Sequence, residues 1–114
     1  MKNLILSAFG PDRKGIVSHI TRIITKNHGN VKESRMINLG SDFNIMMLIQ
    51  INDNYENELI ANLKSIEDLT INIRNTIEKK KHKNIKYQID FCGADNEGLV
   101  YSISDILSTL EINI

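Results

Sequence analysis

Displaced by 83 residues, the sequence falls on itself. The run A-F-G-P-D-R-K-G-I-V at 8–17 lies over F-C-G-A-D-N-E-G-L-V at 91–100, so that Gly10 meets Gly93, Asp12 meets Asp95 and Gly15 meets Gly98. The stretch before the loop agrees in phase, with Leu4, Leu6 and Ala8 on Tyr87, Ile89 and Phe91. Downstream, Ile20 meets Ile103, Ile23 meets Ile106, Asn30 meets Asn113 and Val31 meets Ile114. This is one supersecondary unit duplicated, and such a unit does not bury its apolar face by itself. The organisation expected is a first module over residues 1–78, a linker over 79–84 and a partial second module over 85–114.

Within the first module the apolar pattern changes period four times. Residues 3–9 are short and apolar and run into Gly10-Pro11, which suits a buried strand. Ile16, Val17, Ile20, Ile23 and Ile24 form one stripe at helical spacing, with Gly29 expected to close that helix in a left-handed conformation. Residues 31–39, carrying Lys32, Glu33, Ser34, Arg35 and Asn38, are polar enough for an edge strand, whereas F-N-I-M-M-L-I-Q-I at 43–51 reads as a central one. Gly40-Ser41-Asp42 is the hairpin break between them, and Asn52-Asp53-Asn54 reads as a turn. A second helix over about 56–66 shows Leu59, Ile60, Leu63 and Ile66, and Leu69, Ile71 and Ile73 alternate with polar residues in a last strand.

The order strand-helix-strand-strand-helix-strand, with right-handed crossovers, predicts an α+β fold: the ferredoxin-like βαββαβ two-layer sandwich, followed here by a partial βα(β) repeat. Two helices would cover one sheet face. The other face stays bare, with Ile5 and Phe9 pointing at it, and such a face usually finds a partner. In the second copy the stripe Leu99, Val100, Ile103, Ile106, Leu107 and Leu110 recurs without the elements that would cover it. At roughly 1.5–3 kcal/mol per buried side chain this stripe represents on the order of 10 kcal/mol. Docking on its own first module or on a second chain is expected.

Composition narrows the function. The chain has 114 residues, with fourteen Lys+Arg against fourteen Asp+Glu, so no basic field exists to attract a phosphate backbone. Direct nucleic-acid binding is not expected. No apolar run reaches the ~18–20 residues of a membrane span, and the N-terminus lacks a cleavable signal pattern, so a cytoplasmic protein off the membrane is the plain reading. A single cysteine, Cys92, excludes an internal disulfide or a thiolate metal cluster, and it reads as a packing residue. G-x-x-x-x-G at 10–15 has the spacing of a phosphate loop but continues Ile16-Val17 where Lys and Ser/Thr are needed. His19, His28 and His82 lack partners at metal-ligand spacing, and His19 and His28 read as exposed helix positions. Met36, Met46 and Met47 read as sheet filler, and the basic run E-K-K-K-H-K-N at 78–84 as a solvated connector. Glu33 and Arg35 share one face of the edge strand.

Three separated motifs carry a family likeness: G-P-D-R-K-G-I-V-S-H-I-T-R, then G-N-V-K-E-S-R-M, then L-G-S-D-F-N-I-M-M-L-I. In this order and spacing the chain resembles the N-terminal ACT module of the glycine cleavage system transcriptional repressor family over about residues 3–77. Residues 85–114 resemble the opening of that family's second ACT module, with G-A-D-N-E-G replacing the D-R-x-G form. The resemblance implies a regulatory protein without catalytic activity or cofactor, sensing a small amino acid such as glycine or serine. It implies a homodimer or higher homo-oligomer, and control of glycine cleavage genes through a LysR-type transcription factor. A detached regulatory ACT segment of an amino-acid or one-carbon enzyme, such as a formyltetrahydrofolate deformylase, is the alternative; an oligomerisation module without ligand is a third.

The loop at 10–15 fits ligand binding on chemical grounds. It leads into a helix whose first N–H groups lack internal partners and, with the helix dipole, can hold a carboxylate. Gly15 permits close approach to the backbone beside the amides of Ile16 and Val17, Asp12 can pair with an α-ammonium, and Asn30 offers a donor and an acceptor. Similarity to serine-binding ACT modules implies ligand contacts at Asp12, Gly15 and Asn30. Each has a plainer reading: Asp12 as a cap or turn residue, Gly15 for helix–strand packing, Asn30 as turn chemistry after Gly29.

Overall fold

The computed structural model describes residues 1–77, 85–90 and 98–114. The chain divides into two compact units, Met1–Lys80 and Lys81–Ile114. The first contains β1 (Lys2–Pro11), α1 (Ile16–Lys26), β2 (Asn30–Leu39), β3 (Asp42–Ile51), α2 (Asp53–Lys64) and β4 (Thr70–Asn75). The strands form one antiparallel sheet in the order β2-β3-β1-β4. This is the expected ferredoxin-like sandwich.

The period-2 pattern decides which sheet face is covered. Leu4, Leu6 and Ala8 of β1 and Phe43, Ile45, Met47, Ile49 and Ile51 of β3 are buried under the helices, where they meet Ile16, Ile20 and Ile24 of α1 and Leu59 and Leu63 of α2. The opposite face carries Ile5 and the half-exposed Phe9, Ile37 and Met46. As expected, β3 is central and β2 is an edge. The β2–β3 turn has two residues, with Gly40 at φ 59°, a first-position glycine of the kind favoured in tight hairpins.

Three local expectations are corrected. β1 continues through Gly10 and Pro11, opposite Phe43 and Asp42, because β4 no longer pairs beyond Phe9 and the missing proline N–H breaks no ladder on that side. Residues 52–54 are not a turn: α2 starts at Asp53, and the Asn52 side chain caps it by accepting from the Asn54 N–H at 3.0 Å. Gly29 does not supply the left-handed residue that closes α1. His28 does, at φ 63°, with the Gly29 N–H donating to the Ile24 carbonyl and the His28 N–H to that of Thr25. Gly29 serves by its size, since a Cβ there would stand 2.8 Å from Ile24 Cγ2. The buried Asn27, which sequence reasoning passed over, donates to the Ile23 carbonyl at 2.8 Å and accepts from Asn62, tying the end of α1 to α2.

The second unit contains residues 85–90, which are assigned neither helix nor strand, then α3 (Leu99–Thr109), then residues 112–114. The repeat is visible in its backbone. Gly98 precedes α3 at φ 81°, ψ 4°, as Gly15 precedes α1 at φ 79°, ψ 7°. Glu111, at φ 58°, closes α3 as His28 closes α1, the Ile112 N–H donating to the Leu107 carbonyl. No residue of α3 is buried. The expected linker at 79–84, with His82, and Phe91, Cys92, Gly93 and Asp95 lie outside the described residues.

Candidate functional site

The loop from Gly10 to Gly15 is fixed from both sides. On one side the Asp12 N–H donates to the Ser41 carbonyl at 2.9 Å, and Asn38 Nδ2 donates to Asp12 Oδ2 at 3.1 Å. The β2–β3 turn thus sets both backbone and carboxylate of Asp12. On the other side Arg13 Nε donates to Asp68 Oδ2, Arg13 Nη2 reaches Asp68 Oδ1 at 3.3 Å, and Nη2 also lies 3.3 Å from His19 Nδ1. Gly10 lies so close to the backbone of residue 68 that an added Cβ would stand 2.5 Å from the Asp68 carbonyl oxygen. His19, expected on an exposed helix position, is half-buried beside Arg13.

The loop ends on the feature that gives it a chemical use. Gly15 is left-handed, which an L side chain rarely tolerates, and the space where its Cβ would stand is open to 4 Å. No side chain caps α1 and its first turn has no acidic residue, whereas α2 has Asn52, Asp53 and Glu56 at its start. The positive end of α1 is therefore uncovered at a point where a ligand can reach the backbone. The Ile16 side chain is buried in the core, so this residue can offer only its N–H.

Asp12, Gly15 and Ile16 are brought together by the loop; Asn30 is not. It begins β2 opposite Gln50, while Asn38, the partner of Asp12, stands near the strand's other end. Eight residues of extended chain, at about 3.3 Å each, separate the two ends by roughly 26 Å. Within one module Asn30 belongs to the far edge of the sheet. Among the described residues no cluster of His, Cys, Asp and Glu could hold a metal ion, and no helix is long and apolar enough to cross a membrane.

The Arg13–Asp68 pair gives the loop a pH dependence. The Arg13 hydrogen bond is the largest influence on Asp68 and holds its carboxyl below the ordinary value of 3.8, against an opposing effect of desolvation. A carboxylate with a depressed folded pKa contributes stability that is present above its unfolded pKa and is lost as pH falls through the folded one. Thermal melts are therefore expected to show a downturn below about pH 4, shallower in Asp68→Asn than in the parent.

A ferredoxin-like βαββαβ sandwich with both helices on one sheet face is an architecture found in small regulatory modules. The sequence pattern of the ACT domain matches residues 2–76, and the chain belongs to that family. It is 41% identical over 46 residues to the glycine cleavage system transcriptional repressor of Escherichia coli strain K12, a stretch covering 40% of this chain and 24% of the repressor. Two solved structures match nearly all of it. One is a protein of unknown function from Galdieria sulphuraria (TM-score 0.76, 24% identity, 95% of this chain and 64% of that one). The other is a putative glycine cleavage system transcriptional repressor (TM-score 0.70, 21% identity, 96% of this chain and 67% of that one). At these identities the structures establish the fold. The chain spans about a quarter of the length of the E. coli relative it matches.

Proposed function

We propose that the chain is a non-catalytic amino-acid sensor in which the open N-terminus of α1 receives the ligand's carboxylate. The observation that carries this reading is Gly15: left-handed, with open space in place of a side chain, at the start of a helix that no side chain caps. The amides of Ile16 and Val17 take the carboxylate, and Asp12, held by Asn38, takes the ammonium group. Asn30 joins the site from a neighbouring module. Because β2 is an edge strand of ten residues, antiparallel pairing of two such edges about their middles lays the Asn30 end of one beside the Leu39 end of the other, next to the Asp12 loop. Binding across that seam favours the paired state by its unequal affinity for paired and unpaired modules. Similarity to the glycine cleavage repressor supports glycine or serine as ligand and control of glycine cleavage genes through a protein partner such as a LysR-type factor.

Glycine or serine at millimolar concentration is expected to raise the melting temperature. At one hundred times Kd the gain is about 2.7 kcal/mol, roughly 10–20 °C for a module of this size. The double variant Asp12→Ala with Asn30→Ala is expected to lose that rise while folding normally. A panel of amino acids that gives neither heat in calorimetry nor a thermal shift would remove the sensor reading.

A further inference from the structure

The sheet face away from the helices holds a hollow with a chemistry of its own. Ile5 and Ser7 of β1, Met46 of β3, and Asn72 and Arg74 of β4 line an open cavity of about 280 Å³. Strand register explains why these five meet. Ser7 stands opposite both Met46 and Asn72, and Ile5 stands opposite Arg74. Alternation along each strand turns all five to the side that the helices leave uncovered.

The polar members are unengaged. Among the described residues the side chains of Ser7, Asn72 and Arg74 make no hydrogen bond or ion pair. Arg13 and Arg35, by contrast, are each held by a carboxylate, that of Asp68 and that of Glu33. No acidic residue lines the hollow. Across the sheet, Arg74, Ile5, Leu48 and Glu33 form one row, so Glu33 is three strands from Arg74, about 14 Å at ordinary strand spacing. Arg74 therefore brings a positive charge to this face without a counter-charge beside it.

The lining sets two demands on an occupant. A guanidinium can only donate, and the Asn72 amide and Ser7 hydroxyl can donate as well. Donors grouped with a fixed positive charge select an anion, and the planar fork of arginine matches the two oxygens of a carboxylate. The rest of the surface is aliphatic: Ile5, and Met46, which is 50% exposed. An inorganic anion leaves that surface in water, whereas a short hydrocarbon chain covers it, and methionine adapts readily to chain shape. The volume lies just below the roughly 300–1,000 Å³ common for small-molecule sites, which restricts the occupant to a small one. We infer that the hollow binds a small aliphatic monocarboxylate, its carboxylate on Arg74 beside Asn72 and Ser7, its chain on Ile5 and Met46. Ser7 is five residues of chain, about 16 Å of strand, from Asp12, so this site is separate from the start of α1 and independent of the sensor reading.

Acetate, butyrate and hexanoate, titrated at constant ionic strength into the isotope-labelled 114-residue chain, test this through amide chemical shifts. Hexanoate is expected to bind in the millimolar range and to move the amides of residues 5–7, 46 and 72–74. Affinity is expected to rise about twofold per added methylene, half the free energy of complete burial. Arg74→Gln is expected to weaken hexanoate on the order of tenfold, and uncharged hexanamide to bind the parent as weakly. Unchanged shifts elsewhere in the sheet report that the variant stays folded. Met46→Ser is expected to flatten the dependence on chain length while leaving acetate unchanged. Equal affinity in Arg74→Gln and the parent, or hexanamide or acetate binding as tightly as hexanoate, would each overturn the inference. Shifts confined to residues 15–17 would do the same, and would assign the anion to the start of α1.

Discussion

Gly10→Ala is expected to lower the melting temperature of the first module by roughly 5–20 °C. The added methyl would meet the Asp68 carbonyl oxygen 2.5 Å away and the Leu69 side chain at 3.2 Å. The oxygen belongs to backbone, so relief requires β1 or the segment leading into β4 to move, and overpacking of this kind costs about 1–3 kcal/mol. For a module of this size each kcal/mol corresponds to about 4–8 °C. Differential scanning calorimetry measures the loss. A shift below about 2 °C would mean that this segment yields without cost, and that the anchoring of the loop on that side is weaker than the contacts indicate.

Phe43→Ala is expected to have the larger effect, about 3–5 kcal/mol of module stability by denaturant titration. Phe43 is 1% exposed and stands at the loop end of the sheet, opposite Gly10 on β1 and Asn38 on β2. Its removal leaves a cavity under the turn that holds Asp12. The same variant, where still folded, is expected to show a reduced thermal response to glycine or serine, because Asn38 and Ser41 lose their support. A full response would separate the integrity of the core from that of the loop.

The parts of this protein that were legible in the sequence are those set by periodicity. Ile16, Ile20 and Ile24 at helical spacing, and Leu4, Leu6 and Ala8 at spacing two, could face only one core, and strand order followed from connection rules. The repeat was equally plain, because Gly15 and Gly98 meet a backbone requirement that few residues satisfy. Less legible was anything set by a specific contact across the fold. The cap at Asn52 looks like a turn until the Asn54 N–H is placed, and Gly29 looks like a left-handed residue until Ile24 is found against it. Asn27 with Asn62, and Arg13 with Asp68, are 35 and 55 residues apart, and no local pattern marks either pair. At the candidate site, Asp12, Gly15 and Ile16 stand on one loop as their sequence proximity requires, whereas β2 begins with Asn30 at the end of the strand away from that loop.

The two helix endings at His28 and Glu111 share one torsion with chemically unlike side chains. What the duplicated unit has retained there is a shape of main chain, written in the spacing of its amides and carbonyls, while the lettering above it has drifted. A residue outside glycine at such an angle bears a torsional burden of about 1–2 kcal/mol. The first copy tolerates it where the chain leaves α1 for β2, and the second repeats it after α3, so kinship between distant members of this fold is better sought in such angles than in matching letters.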